Sequence, residues 1–206
     1  MFRSRARVTP DATLTFAVSG DSITSRPDSW RDQLGDRRLR LVGGFAEDGA
    51  TSERAFGQVR RSMADVLVVM LGMEDVRESV PAETVKTNIE KIVRFSECRT
   101  ALLCLVPPSN HSDGPVNRRA NGVVANRHLF DLGAKQGWIV ADPFAFARAS
   151  NNSWGGGSSD DGTHPLPHVS AEAAVRMRLF IRQAAATVDL NTKAGAVARP
   201  AGVRVR

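Results

Sequence analysis

Short apolar runs alternate along the chain with longer stretches in which apolar residues recur every three or four positions. The runs are Leu14–Ser19 (LTFAVS), Leu39–Val42 (LRLV), Asp65–Leu71 (DVLVVML), Ala101–Val106 (ALLCLV) and Trp138–Ala141 (WIVA). Each stops at Gly, at Pro or at an Asp-Pro pair, and β-branched residues recur among them, so all five read as strands. Their nearly unbroken apolarity implies burial on both faces, as in a parallel sheet.

The intervening stretches read as helices. Asp28–Leu34 places Trp30 and Leu34 four apart, and Thr51–Met63 aligns Ala55, Val59 and Met63. Ala82–Phe95 follows Pro81 and aligns Val85, Ile89, Ile92 and Val93; Arg118–Lys135 carries Val123, Val124, Leu129 and Leu132. Ala171–Val188 carries Val175, Leu179, Ile181 and Ala185, with Ser170 as a natural N-cap. Strands alternating with helices predict an α/β domain with crossover helices on both faces of a five-stranded parallel sheet. The domain is expected over 1–190, with 191–206 an extended or disordered tail, because that Ala/Gly/Val/Arg-rich end has no periodicity.

Composition adds mainly exclusions. A chain of 206 residues suits one domain with a sizeable core. No apolar run approaches the roughly 20 residues that span a bilayer. The apolar stretch Leu14–Val18 is too short for the core of a secretory signal, so a cytoplasmic protein is expected. The net charge of +6 is almost all arginine, clustered at Arg37, Arg38 and Arg40, at Arg60 and Arg61, and at Arg118 and Arg119. No nucleic-acid motif accompanies these clusters, so they read as solvated faces and no nucleic-acid partner is expected. Cys98 and Cys104 make neither a disulfide framework nor a metal set, and read as reduced thiols. His111, His128 and His168 lack metal-ligand spacing and read as surface or loop histidines. No metal and no cofactor are expected.

Two motifs bear on chemistry. The first strand runs into Ser19-Gly20-Asp21-Ser22-Ile23-Thr24. A serine in a sharp turn at a strand's carboxyl end sits where open α/β sheets place their sites. It becomes a nucleophile only if a histidine takes its proton and amides hold the developing oxyanion. Asp21 reads as the residue that fixes this turn by accepting from backbone amides. The second motif, Asp161-Gly162-Thr163-His164-Pro165, precedes the last helix. Asp and His three apart on a turn can face one cleft, the carboxylate orienting the imidazole as in a Ser-His-Asp triad. Between them, Ser150–Asp161 (SNNSWGGGSSDD) reads as a mobile loop, and its Trp154 as a candidate substrate-stacking residue.

Together the motifs resemble the SGNH hydrolase superfamily, which includes the GDSL esterases and lipases. The resemblance spans about Leu14 to Val188. Gly20-Asp21-Ser22 matches the GDS block, Gly49-Ala50-Thr51-Ser52 is similar to the glycine block, and Asp161 with His164 matches the D-x-x-H block. The resemblance implies a flavodoxin-like three-layer α/β/α sandwich. It implies Ser22 as nucleophile, His164 as base, Asp161 as its orienter, and the amides of Ser22 and Gly49 in the oxyanion hole. The substrate would be an ester, of a small acyl group such as acetyl, and carbohydrate is one carrier. The third family block departs. Leu71-Gly72-Met73-Glu74-Asp75 has Glu74 where the G-x-N-D block has an oxyanion-binding Asn. An ionised Glu only accepts hydrogen bonds. Three readings stay open: a protonated Glu74 that donates, a Glu74 turned away from the oxyanion, or a module that binds a glycan or protein partner without hydrolysing it.

Overall fold

The computed structural model describes residues 13–112 and 116–197. β1 (Leu14–Gly20), β2 (Leu39–Ala46), β3 (Val66–Met70), β4 (Thr100–Cys104) and β5 (Ile139–Ala141) form one sheet in the order β2-β1-β3-β4-β5. Every neighbouring pair is parallel. The three central strands, β1, β3 and β4, are mostly apolar and almost wholly buried because both their faces are covered. Phe16, Val18, Val66, Val68, Met70, Leu102 and Cys104 enter one core, whereas Ala17, Leu67, Val69, Ala101 and Leu103 enter the other. The chain is therefore an α/β fold of the expected kind.

Among the described residues, α1 (Ser22–Ser25), α2 (Ser52–Gln58), α3 (Met73–Arg77), α4 (Ala82–Ser96) and α5 (Arg118–Gln136) lie between strands, and α6 (Pro167–Val197) follows β5. α2, α4 and α5 cover the Ala17/Leu67 face, and α6 covers the Phe16/Val68 face together with Trp30, Phe144 and Trp154. Among the described residues no helix is long and apolar enough to cross a membrane.

Several helical expectations are corrected. Asp28–Leu34 is a series of turns instead of a helix, entered at Asp28 with φ 59° and left at Gly35 with φ 50°. Trp30 and Leu34 nonetheless reach the core. α2 ends at Gln58 because Val59 turns extended, and Met63 is left exposed with φ 51°. α3 was not anticipated. α6 begins at Pro167, so Ser170 lies inside the helix and does not cap it; proline suits a first helical position, where its missing N–H is no loss. It runs to Val197, past the expected end at Val188 and into the stretch 191–206 expected to be an extended or disordered tail; 198–206 lie outside the described residues.

The buried faces of α5 and α6 also differ from expectation. Val123, Val124, Val175 and Leu179 are exposed, while Ala125, Ala173, Ala174, Met177, Ile181 and Ala184 are buried. Small side chains thus share the contact with Leu129, Leu132, Met177 and Ile181, which are buried as well.

Candidate active site

The first structural requirement is a serine held in a tight turn. β1 ends at Gly20, where a Cβ would lie 2.5 Å from the Thr24 hydroxyl, so only glycine lets the chain double back. Asp21 then caps α1, its Oδ1 accepting from the Ile23 N–H at 3.0 Å. This is the turn-fixing role expected of it. Ser22 is thereby the first residue of the helix, with an N–H that has no partner one turn back.

At the other end of the chain, Asp161 folds over its own turn. Its Oδ1 accepts from the N–H of Thr163 at 2.8 Å and of His164 at 2.7 Å. Its Oδ2 lies 2.6 Å from His164 Nδ1, and His164 Nε2 lies 2.9 Å from Ser22 Oγ. Ser22, His164 and Asp161 thus form one continuous hydrogen-bonded chain. With Nδ1 donating to the carboxylate, Nε2 is free to accept the serine proton. Partial burial works against the Asp161 charge. Hydrogen bonds from the His164 ring and from the His164 and Thr163 amides outweigh it, and hold the carboxyl well below the usual range.

Gly49 lies on the exposed turn after β2, with φ 73°. Glu47 N–H donates to the Gly20 carbonyl at 3.3 Å, and the Asp48 carboxylate accepts from Ser25 Oγ at 2.7 Å and Arg26 Nε at 3.0 Å. These bonds tie the turn to the end of β1 and to α1, the elements that carry Ser22. A second anchor joins residues of two motif blocks, a pairing that the sequence does not show. Asp75 accepts from the Ser52 N–H at 2.9 Å and from its Oγ at 2.7 Å, fixing the start of α2 to α3.

Glu74 points inward, with only 5% of its surface exposed. Its Oε2 lies 2.6 Å from Arg77 Nη2 yet receives no hydrogen bond, so the contact is ionic and poorly directed. Asp21 Oδ2 is likewise buried without a hydrogen-bond partner. Two carboxyl groups with unsatisfied oxygens therefore lie at the carboxyl ends of β1 and β3, close enough for Glu74 to influence Asp21.

Complete burial, aided by the charges of Glu74 and Asp75 and opposed by the Ile23 and Met73 amides, pushes the Asp21 carboxyl up to about 7. An unfolded aspartate titrates near ~3.9. Between these values the folded chain binds a proton that the unfolded chain has lost, so this group's contribution to stability falls as pH rises. Asp21→Asn is expected to raise the melting temperature more at pH 8 than at pH 5. An equal change at both pH values, measured by thermal denaturation, would count against a buried titrating Asp21.

Trp154 does not line this site. It is buried against Phe144, edge to face with ring centroids 5.3 Å apart, in the α6-side core. Its loop is not free: Arg148 bridges to Trp154, and Trp154 N–H donates to Asn110 Oδ1 at 2.9 Å. Nothing in a glycine-rich sequence distinguishes a tryptophan that turns inward from one that faces solvent. A groove of about 200 Å³ lies beside Ser22 and His164 instead, walled by Ile23, Arg26, Pro27, Pro165 and Pro167. Cys98 and Cys104 are free thiols, and burial pushes the Cys104 thiol far up.

The comparisons with known proteins agree with this architecture. Residues 18–169 match the model of the GDSL-like Lipase/Acylhydrolase family. A protein of the G-D-S-L family from Desulfitobacterium hafniense DCB-2 superposes with a TM-score of 0.69 at 15% identity, covering 81% of this chain and 99% of that one. A GDSL-like lipase from Bacteroides thetaiotaomicron VPI-5482 gives 0.64 at 16% identity, covering 84% and 89%. An alpha/beta hydrolase enzyme from the metagenome of Lake Arreo, Spain, gives 0.64 at 19% identity, covering 82% and 95%. At these identities the structures speak for the fold alone. No curated protein sequence matches.

Proposed function

The chain belongs to the GDSL-like lipase/acylhydrolase family, and from that premise we propose that it is a serine esterase working through an acyl-Ser22 intermediate. The observation that supports this most is the unbroken link from Ser22 Oγ through the His164 ring to Asp161, at 2.9 Å and 2.6 Å.

Ser22 Oγ attacks the ester carbonyl carbon while His164 Nε2 takes the hydroxyl proton. The carbonyl π electrons move to oxygen, where the amides of Ser22 and Gly49 receive the charge. Asp161 stays ionised throughout and stabilises the imidazolium. Collapse of the tetrahedral species breaks the bond to the alcohol, which leaves with the proton from Nε2. Water then adds to the acyl-serine and gives a proton to His164. Collapse releases the carboxylic acid, and the proton returns to Ser22 Oγ. The groove beside Ser22, small and of mixed polarity, favours esters of short acyl groups, acetylated carbohydrates among them.

A fluorophosphonate probe tests the reading, since it reacts only with a serine whose base and oxyanion site are in place. Labelling is expected in the wild type at Ser22, with none in Ser22→Ala. An unlabelled, folded wild type would overturn it. That result would favour the second reading, a cleft that binds a glycan or protein partner without turning it over. Its support is Glu74, a buried acidic group where the family places an oxyanion donor.

A further inference from the structure

The stretch from Gly155 to Gly162 contains no apolar side chain. It therefore cannot hold Asp161 in place by packing into a core. The Asp161 side chain itself is 52% exposed. Its position depends on whatever grips its backbone.

That grip comes from the segment after β4. Ser109 N–H donates to the Asn152 carbonyl at 3.1 Å, and Asn110 N–H donates to the Gly162 carbonyl at 2.8 Å. His111 Nε2 lies 3.0 Å from the Asp161 carbonyl oxygen. Since a carbonyl only accepts, Nε2 must carry the proton. Gly162 has φ 73°, and a Cβ there would lie 2.9 Å from Asn110 Cβ and 3.3 Å from His111 Nε2. The two segments are in contact along their backbones, so glycine is required at 162 by conformation and by space.

We propose that His111 is a positioning residue for the Ser22–His164–Asp161 site, its Nε2–H holding the Asp161 main chain so that the carboxylate stays aimed at His164. This rests on the esterase reading above. His111 does not reach the substrate; it acts through Asp161. Losing that hold lets the Asp161 turn drift, and misplacing a catalytic group by about 1 Å can cost on the order of 100-fold in rate. The remaining bonds from Asn110 and from the Thr163 and His164 amides limit that drift.

The test is steady-state hydrolysis of p-nitrophenyl acetate by His111→Ala, His111→Gln and His111→Glu. For His111→Ala, kcat is expected to fall about 10-fold with KM within about twofold of the wild type. Gln and Glu have nearly the same shape, but only the Gln amide donates. His111→Gln is expected to recover kcat to within about threefold of the wild type, while His111→Glu is not. That comparison stands even if the alanine variant folds poorly. A His111→Ala enzyme with wild-type kcat, or a Gln variant no better than Glu, would overturn the proposal. Failure of the esterase reading shows elsewhere: Ser22→Ala would then turn over like the wild type, and the proposal would fall with it.

Discussion

Ser22→Ala and His164→Ala are each expected to lower kcat/KM for p-nitrophenyl acetate by at least about 1000-fold, and the double variant by no more than either alone. In the proposed mechanism Oγ is the atom that bonds to carbon, so its removal ends covalent catalysis, and His164 Nε2 is the atom that takes the Oγ proton. Without it the hydroxyl remains a weak nucleophile at neutral pH. The two groups act as one unit, joined at 2.9 Å, so removing the second from an enzyme lacking the first removes nothing further. Additive losses would mean that the residues work independently, which the proposed mechanism forbids.

The second large effect runs in the opposite direction. Glu74→Asn is expected to raise turnover of the same ester by about 100-fold, on the scale of a single oxyanion donor. Glu74 is buried in the first turn of α3 and sits near Asp21, the residue that caps the nucleophile turn. A carboxyl group there stands where the family has an Asn that donates to the ester oxygen, and Arg77 contacts it without a well-directed hydrogen bond. Asn is smaller than Glu, carries no charge and offers two N–H donors. The gain should appear in kcat more than in KM, because the oxyanion exists only in the transition state and intermediate. An unchanged or lower rate would mean that Glu74 does not oppose the oxyanion.

The fold was legible wherever burial is two-sided. The central strands stand out because the interior of a parallel sheet accepts apolar residues at nearly every position; β2 stood out by its LRLV run, although most of its residues are exposed. α4 and α5 were placed to within a residue at each end, since Pro81 and Gly137 bound them. The facing of α5 and α6 was legible at Leu129, Leu132 and Ile181, which are buried, and not at Val123, Val124, Val175 and Leu179, which are exposed while alanines such as Ala125, Ala173 and Ala174 face the core. In the site, Ser22, Asp161 and His164 stood out as short motifs, and the structure brings all three into one hydrogen-bonded chain. Trp154 misled because loop composition suggests exposure. Asp75 and Ser52 lie in the motif blocks and His111 reads as a surface or loop histidine, but nothing in the sequence pairs them with their partners. Each matters through a bond to a segment more than 20 residues away, such as Asp75 to Ser52 or His111 to Asp161.

Ser22 follows the first strand and His164 precedes the last helix, 142 positions apart in the chain. Bringing them together costs chain entropy, and local helix or strand formation does not by itself create that contact. On the proposed mechanism, a chain that has gained its secondary structure without bringing the turn before α6 to the end of β1 has no base beside Ser22. Such a partly folded form is expected to escape fluorophosphonate labelling.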